Sequence, residues 1–187
     1  MHRFFFIFTV VFLFFSCTET KIAEPEKREP APAKEEKPAN ETQPELTSEN
    51  FDKGALINQI SMPSLKTGEK ITFGDYKGKK ILFDFWSSWC EPCIAMFPVI
   101  NKLKTELEDK AGTLKILSVS IDPMPGKVKK VMAEKGVLFE VLQAPESLAN
   151  SGILMPYIAI ADESGKIIAT SNGKHTYEEL VKMIEGK

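Results

Sequence analysis

Hydrophobic positions divide the chain into three stretches. Over residues 4–15 nearly every side chain is large and apolar, and over residues 18–50 almost none is. From Phe51 onward, apolar and polar positions alternate in short runs. Within that last stretch, Ile81-Leu82-Phe83-Asp84-Phe85-Trp86 reads as a strand, and Leu114 to Ile121 reads as a second one covered on both faces. Ile94, Phe97, Ile100, Leu103 and Leu107 recur at helical spacing, which predicts a helix from Cys93 to about Lys110, bent at Pro98. Residues 65–73 predict a hairpin turning at Thr67-Gly68, and residues 76–79 a turn. Residues 51–61 are ambiguous between an approach loop and a short strand. Further on, residues 127–135 predict a helix ended by Gly136, residues 139–142 a short strand, and residues 146–150 a helical turn. Residues 157–161 and 166–169 predict strands joined through Asp162-Glu163-Ser164-Gly165. Thr176-Tyr177-Glu178-Glu179 is a capping-box pattern that opens a last helix. Strands alternating with helices, then a hairpin and a final helix, predict an α/β domain with a mixed sheet.

The two N-terminal stretches point away from the cytoplasm. One basic residue, a short apolar run and Ser16 before Cys17 describe an export signal over residues 1–16. The run is short for a membrane span, which needs about 20 residues. Phe14-Phe15-Ser16-Cys17 resembles the lipobox of bacterial lipoproteins, which would make Cys17 a lipidated N-terminus; an uncleaved anchor is the alternative. Residues 17–50, rich in Glu, Lys, Pro, Ala and Thr, cannot bury enough apolar surface to offset their ordering entropy and are expected to act as a linker. One domain of residues 51–187 follows. A formal net charge of -2 offers no basis for binding nucleic acid.

The chemistry concentrates at Trp89-Cys90-Glu91-Pro92-Cys93, where two thiols sit between a strand and a helix. Unpaired backbone N–H groups and the positive end of a helix would favour the thiolate of Cys90, the nucleophile of disulfide exchange. Zinc fits poorly: three cysteines and two histidines are present, and Cys17 and His2 lie in the leader. Haem attachment fails because Ile94 follows Cys93 where His is needed. A Cu(I) carrier needs only soft ligands and stays open. An inert staple would close a very short loop and stabilise little. A redox-active pair is the strongest reading, needing no metal and no cofactor beyond the disulfide itself.

Phe85-Trp86-Ser87-Ser88-Trp89-Cys90-Glu91-Pro92-Cys93, supported by Ser64-Leu65-Lys66-Thr67-Gly68-Glu69-Lys70, by Val119-Ser120-Ile121-Asp122, and by Met155-Pro156 followed by Asp162-Glu163-Ser164-Gly165-Lys166, resembles the thioredoxin superfamily. Within it, the chain is similar to the membrane-tethered extracytoplasmic reductases of the TlpA/ResA type. The resemblance implies a thioredoxin-like fold, a mixed central sheet flanked by helices with an N-terminal β-hairpin extension. It also implies an extracytoplasmic thiol–disulfide oxidoreductase. Cys90 would attack, Cys93 would resolve, and Pro156 would be a cis-proline beside them that leaves Met155 free to pair with a substrate strand. Trp89, Glu91 and Pro92 would complete the substrate-facing surface. Asp84, an acid in an apolar strand, would have a raised pKa and take the proton of Cys93; its bland alternative is a contact with a solvent pocket or with Lys115. The implied partners are disulfide-containing exported proteins and a membrane thiol electron donor, engaged by a lipid-anchored monomer. The same chemistry run backward would make an oxidase or isomerase. Met96 departs from the pattern, since many relatives carry Glu there, and Met155 and Tyr157 differ from the residues common around that proline.

Overall fold

The computed structural model describes residues 45–187. The leader, Cys17 and the linker up to residue 44 lie outside the described residues. The start expected at Phe51 moves earlier: Ser48–Phe51 form one 3-10 turn, and Leu46 is buried together with Phe51. Apolar Leu46 and Phe51 flank a polar turn, so this short segment has enough surface to dock although its composition resembles the linker.

A five-stranded sheet in the order β5-β4-β3-β6-β7 forms the frame. Its strands are β3 (Lys80–Trp86), β4 (Leu114–Ser120), β5 (Glu140–Gln143), β6 (Tyr157–Ala161) and β7 (Ile167–Asn172). β3 pairs in parallel with β4 and antiparallel with β6, and β4 pairs in parallel with β5. The mixed α/β sheet expected from the alternation is therefore present, with β3 at its centre. Central position explains why β3 carries apolar residues on both faces. On one face Leu82 and Trp86 pack with Phe97, Ile100, Leu180 and Ile184. On the other, Phe83 and Phe85 meet Phe51, whose ring centroid lies 5.2 and 4.8 Å from theirs.

The N-terminal hairpin consists of β1 (Ser61–Pro63) and β2 (Lys70–Thr72), beginning earlier than the alternation suggested. Ser64 Oγ accepts the N–H groups of Lys66 and Thr67, which folds residues 64–69 into the turn instead of a strand. Gly68 takes a positive φ of 79° in that turn, where a side chain would be strained.

The long helix expected after Cys93 is broken. α1 (Glu91–Ile94) and α2 (Phe97–Leu103) are separate, and Lys104–Lys110 continue as a π-helical segment. Pro98 has no N–H to donate to the carbonyl of Ile94, so the ladder lapses a turn before the proline and resumes with Pro98 in the first turn of α2. Helix α3 (Pro125–Glu134), the short α4 (Glu146–Ala149) and α5 (Tyr177–Glu185) complete the fold. The capping box opens α5 as expected: Thr176 Oγ1 accepts from Glu179 N at 3.2 Å, and Glu179 Oε2 accepts from Thr176 N at 2.8 Å.

Candidate functional site

The site lies at the C-terminal end of β3, where the chain leaves the sheet. Cys90 N donates to Ser87 O at 3.1 Å, closing a four-residue turn that delivers Cys90 as the N-cap of α1. Cys90 and Cys93 are joined in a disulfide, with Cα atoms 5.3 Å apart. The two sulfurs are not equivalent, because Cys90 keeps 6% of its surface exposed and Cys93 none. Cys93 Sγ sits 3.9 Å from the carbonyl of Phe85 on β3.

The helix carrying the thiols is only one turn long before it breaks. Any help to a Cys90 thiolate therefore comes from that turn's own N–H groups rather than from a long macrodipole.

Asp84 lies in the middle of β3, opposite Ser118 of β4 and Ile158 of β6. It has no exposed surface. Burial pushes its carboxyl from an ordinary 3.8 up to about 7, against a weaker pull downward from the hydrogen bond donated by Ser118 Oγ to Oδ2 at 3.2 Å. Its other oxygen is buried without a partner. Lys115 is not the counter-ion: its Nζ bonds Glu108 Oε1 at 2.9 Å.

The Met155–Pro156 peptide is cis. Pro156 O accepts from Gly173 N at 2.8 Å, which ties the segment just before β6 to the end of β7. Tyr157, the next residue, reaches back to Phe51 O through its hydroxyl at 3.2 Å. Met155 is half-buried and Trp89 is 64% exposed. Both line a cleft of about 680 Å³, together with Ile121, Pro123, Gln143 and Ile153. Glu91, the first residue of α1, is exposed and lines a second cleft together with Ser88. Pro92 follows it in the first turn of α1. Met96 is buried in the same core cluster as Cys90 and Cys93. Among the described residues no group of three or more His, Cys, Asp or Glu side chains is placed to hold a metal ion. No helix of the described residues is long and apolar enough to cross a membrane.

Two residues beside the thiols carry no role in the sequence reading. Asp122, fully buried just past β4, accepts from Ser88 N at 3.2 Å, from Ser88 Oγ in a very short contact, and from Met124 N at 2.8 Å. The Val119-Ser120-Ile121-Asp122 match contained the only signal, an acid closing an apolar strand. Nothing in the sequence pairs it with Ser88.

Comparison with known proteins agrees with this geometry. The model of the Redoxin family matches residues 38–184. The thioredoxin-like protein YneN of Bacillus subtilis is 31% identical over 126 residues, covering 65% of this chain and 74% of that protein. Thiol-disulfide oxidoreductase ResA of Bacillus thuringiensis subsp. konkukian is 28% identical over 121 residues, covering 63% and 69%. Among solved structures, a Chlorobium tepidum protein assigned as thiol:disulfide interchange protein DsbE superposes with a TM-score of 0.64 at 28% identity. The match covers 73% of this chain and 97% of that one.

Proposed function

The chain belongs to the Redoxin family and is a thioredoxin-like thiol–disulfide oxidoreductase, and from that premise we propose that it reduces disulfides of exported proteins while tethered outside the cytoplasm through Cys17. The observation that carries the reading is the unequal exposure of the two disulfide-bonded sulfurs, with Trp89 exposed on the turn that ends at Cys90. Cys90 is open to a client sulfur and Cys93 is not, which supports attack by the first and resolution by the second. In the reduced protein the Cys90 thiolate attacks one sulfur of the client disulfide. A mixed disulfide forms and the client's other sulfur leaves as thiolate. Cys93 then attacks Cys90 Sγ, the Cys90–Cys93 bond forms, and the second client sulfur departs. Two electrons pass to the client.

Cys93 must lose a proton before it attacks. Asp84 is suited to accept it, because an acid with a pKa of about 7 exchanges protons readily at neutral pH. The backbone of Met155, just ahead of the strand ladder, would pair with an extended client segment, and Trp89, Glu91 and Pro92 would face it. A membrane thiol donor would restore the dithiol, since an oxidising compartment does not.

Cys93→Ser tests the central claim. Expressed in cells, it should trap clients covalently on Cys90, visible as dithiothreitol-sensitive adducts on non-reducing gels. The absence of any adduct, with Cys90 shown free and reactive, would overturn the assignment. Direction of flow is read from the potential of the pair: a value near roughly -270 mV supports reduction, and one near roughly -120 mV an oxidant.

A further inference from the structure

The loop that presents Cys90 projects beyond the end of the sheet, since the β3–β4 ladder stops at Trp86 and Ser120. At its far end Cys90 O accepts from Cys93 N at 3.1 Å and from Ile94 N at 3.0 Å, which joins the loop to α1, and two further attachments hold the part before Cys90. Ile121 N donates to Trp86 O at 2.9 Å at the root of the loop. Asp122 takes both the N–H and the hydroxyl of Ser88, in the middle of the turn that ends at Cys90. Asp122 is itself held from three sides. Met124 N donates to its other oxygen, Ser120 Oγ accepts from its N–H at 3.3 Å, and Gln143 Nε2 donates to its carbonyl at 2.9 Å.

A fully buried carboxylate is costly, and an apolar side chain would fill the same space without that cost. Here each carboxylate oxygen is matched by donors, and those donors come from the loop before Cys90 and from the loop that starts α3. Asp122 touches neither sulfur. Any effect on them would run through Ser88.

We propose that Asp122 is a positioning residue for the exchange reaction: by gripping Ser88 it holds the Ser87–Cys90 turn, and so aims the Cys90 sulfur at the incoming disulfide. The inference rests on Cys90 being the attacking thiol. Thiol–disulfide exchange needs the attacking sulfur aligned with the bond it breaks, and a displacement of about 1 Å can lower a rate by up to about 100-fold. Held only at its root and by α1, the turn would leave the sulfur room to shift over such distances.

The test uses the reduced protein and bis(2-hydroxyethyl) disulfide, a substrate small enough to need no client recognition. The rate constant is taken on the plateau above the Cys90 titration, so that changes in thiolate fraction drop out. Ser88→Ala, which removes one hydroxyl, should lower that plateau about 3- to 10-fold, and Asp122→Ala about 10-fold or more. Ser88→Thr keeps the hydroxyl and should restore the rate. The double variant should be no slower than Asp122→Ala alone, because both changes release the same grip. Ser88→Ala is the mild member of the set and keeps the test alive if Asp122→Ala folds poorly. A purely structural clamp would lower the melting temperature while leaving the plateau within about twofold of wild type, and that result overturns the proposal. So does a Ser88→Thr protein as slow as Ser88→Ala, or single effects that multiply in the double variant. A wild-type protein inert toward the small disulfide overturns the attack by Cys90 and this inference together, whereas an active wild type with unaffected variants overturns this inference alone.

Discussion

Replacing Asp84 by Asn should remove one specific component of the pH dependence of stability. In the folded protein the Asp84 carboxyl, raised by burial, keeps its proton up to about pH 7, whereas in the unfolded chain it releases it near 3.8. Between those values unfolding releases a proton, so each rise in pH favours the unfolded state. Stability contributed by the protonated acid is fully present below pH 3.8, drains away as the pH climbs, and is gone above about pH 7. The window spans about three pH units, and at about 1.4 kcal/mol per unit the loss is about 4 kcal/mol. Water entering beside the carboxylate would reduce it, so this value is a ceiling. Asparagine keeps the shape and can still accept from Ser118 but does not titrate. Its amide N–H₂ meets the side of the group that now has no partner, a penalty of about 1–3 kcal/mol that is the same at every pH. The prediction therefore concerns the slope. Urea unfolding of both proteins, with the disulfide intact, should show the difference between variant and wild type moving in the variant's favour by about 4 kcal/mol between pH 4 and pH 8. All other carboxylates cancel in the difference. A difference that does not change with pH would refute the raised pKa, and one that grows in favour of wild type would refute its sign. The same substitution should slow turnover between about pH 6 and pH 9, where the proton of Cys93 loses its acceptor.

Three further outcomes follow from the packing. Phe51→Ala should destabilise the protein by about 3–5 kcal/mol in the same unfolding assay, because the ring fills the space against Phe83 and Phe85; a loss below about 1 kcal/mol would detach this segment from the domain. Gly165→Ala should be strongly destabilising by thermal unfolding, since φ is +83° and a Cβ would collide with Asn58 Oδ1. Relief would require giving up the bond from Asn58 Nδ2 to Ser164 O. Thr176→Ala should cost about 1 kcal/mol by removing the cap of α5, with exchange activity unchanged.

Much of this molecule was legible in the chain because the signals are local. Alternation and helical spacing located the main strands and helices, turn residues located their joints, and the capping box at Thr176 needed only its own four residues. The hairpin starts a few residues before the point the alternation predicts because a hydroxyl, that of Ser64, competes with the strand for the backbone and leaves no periodicity to read. The helical stretch after Cys93 reaches Lys110 as its apolar spacing predicts, but that spacing runs on through a missing hydrogen bond; where Pro98 predicts a bend, its lost N–H produces a break.

The site divides along the same line. Cys90 and Cys93 declare themselves by spacing, and Asp84 by standing alone among apolar neighbours. Those are properties of adjacent residues, and the sequence by itself determined them. How deeply each sulfur is buried, which oxygen of Asp84 is satisfied by Ser118, and that Asp122 grips Ser88 across 34 positions are decided by strand register and by where two loops meet. Only the tertiary structure brings those groups within hydrogen-bonding range. The reason is physical: burial and long-range pairing depend on what the rest of the chain places alongside, and no local pattern encodes the neighbour.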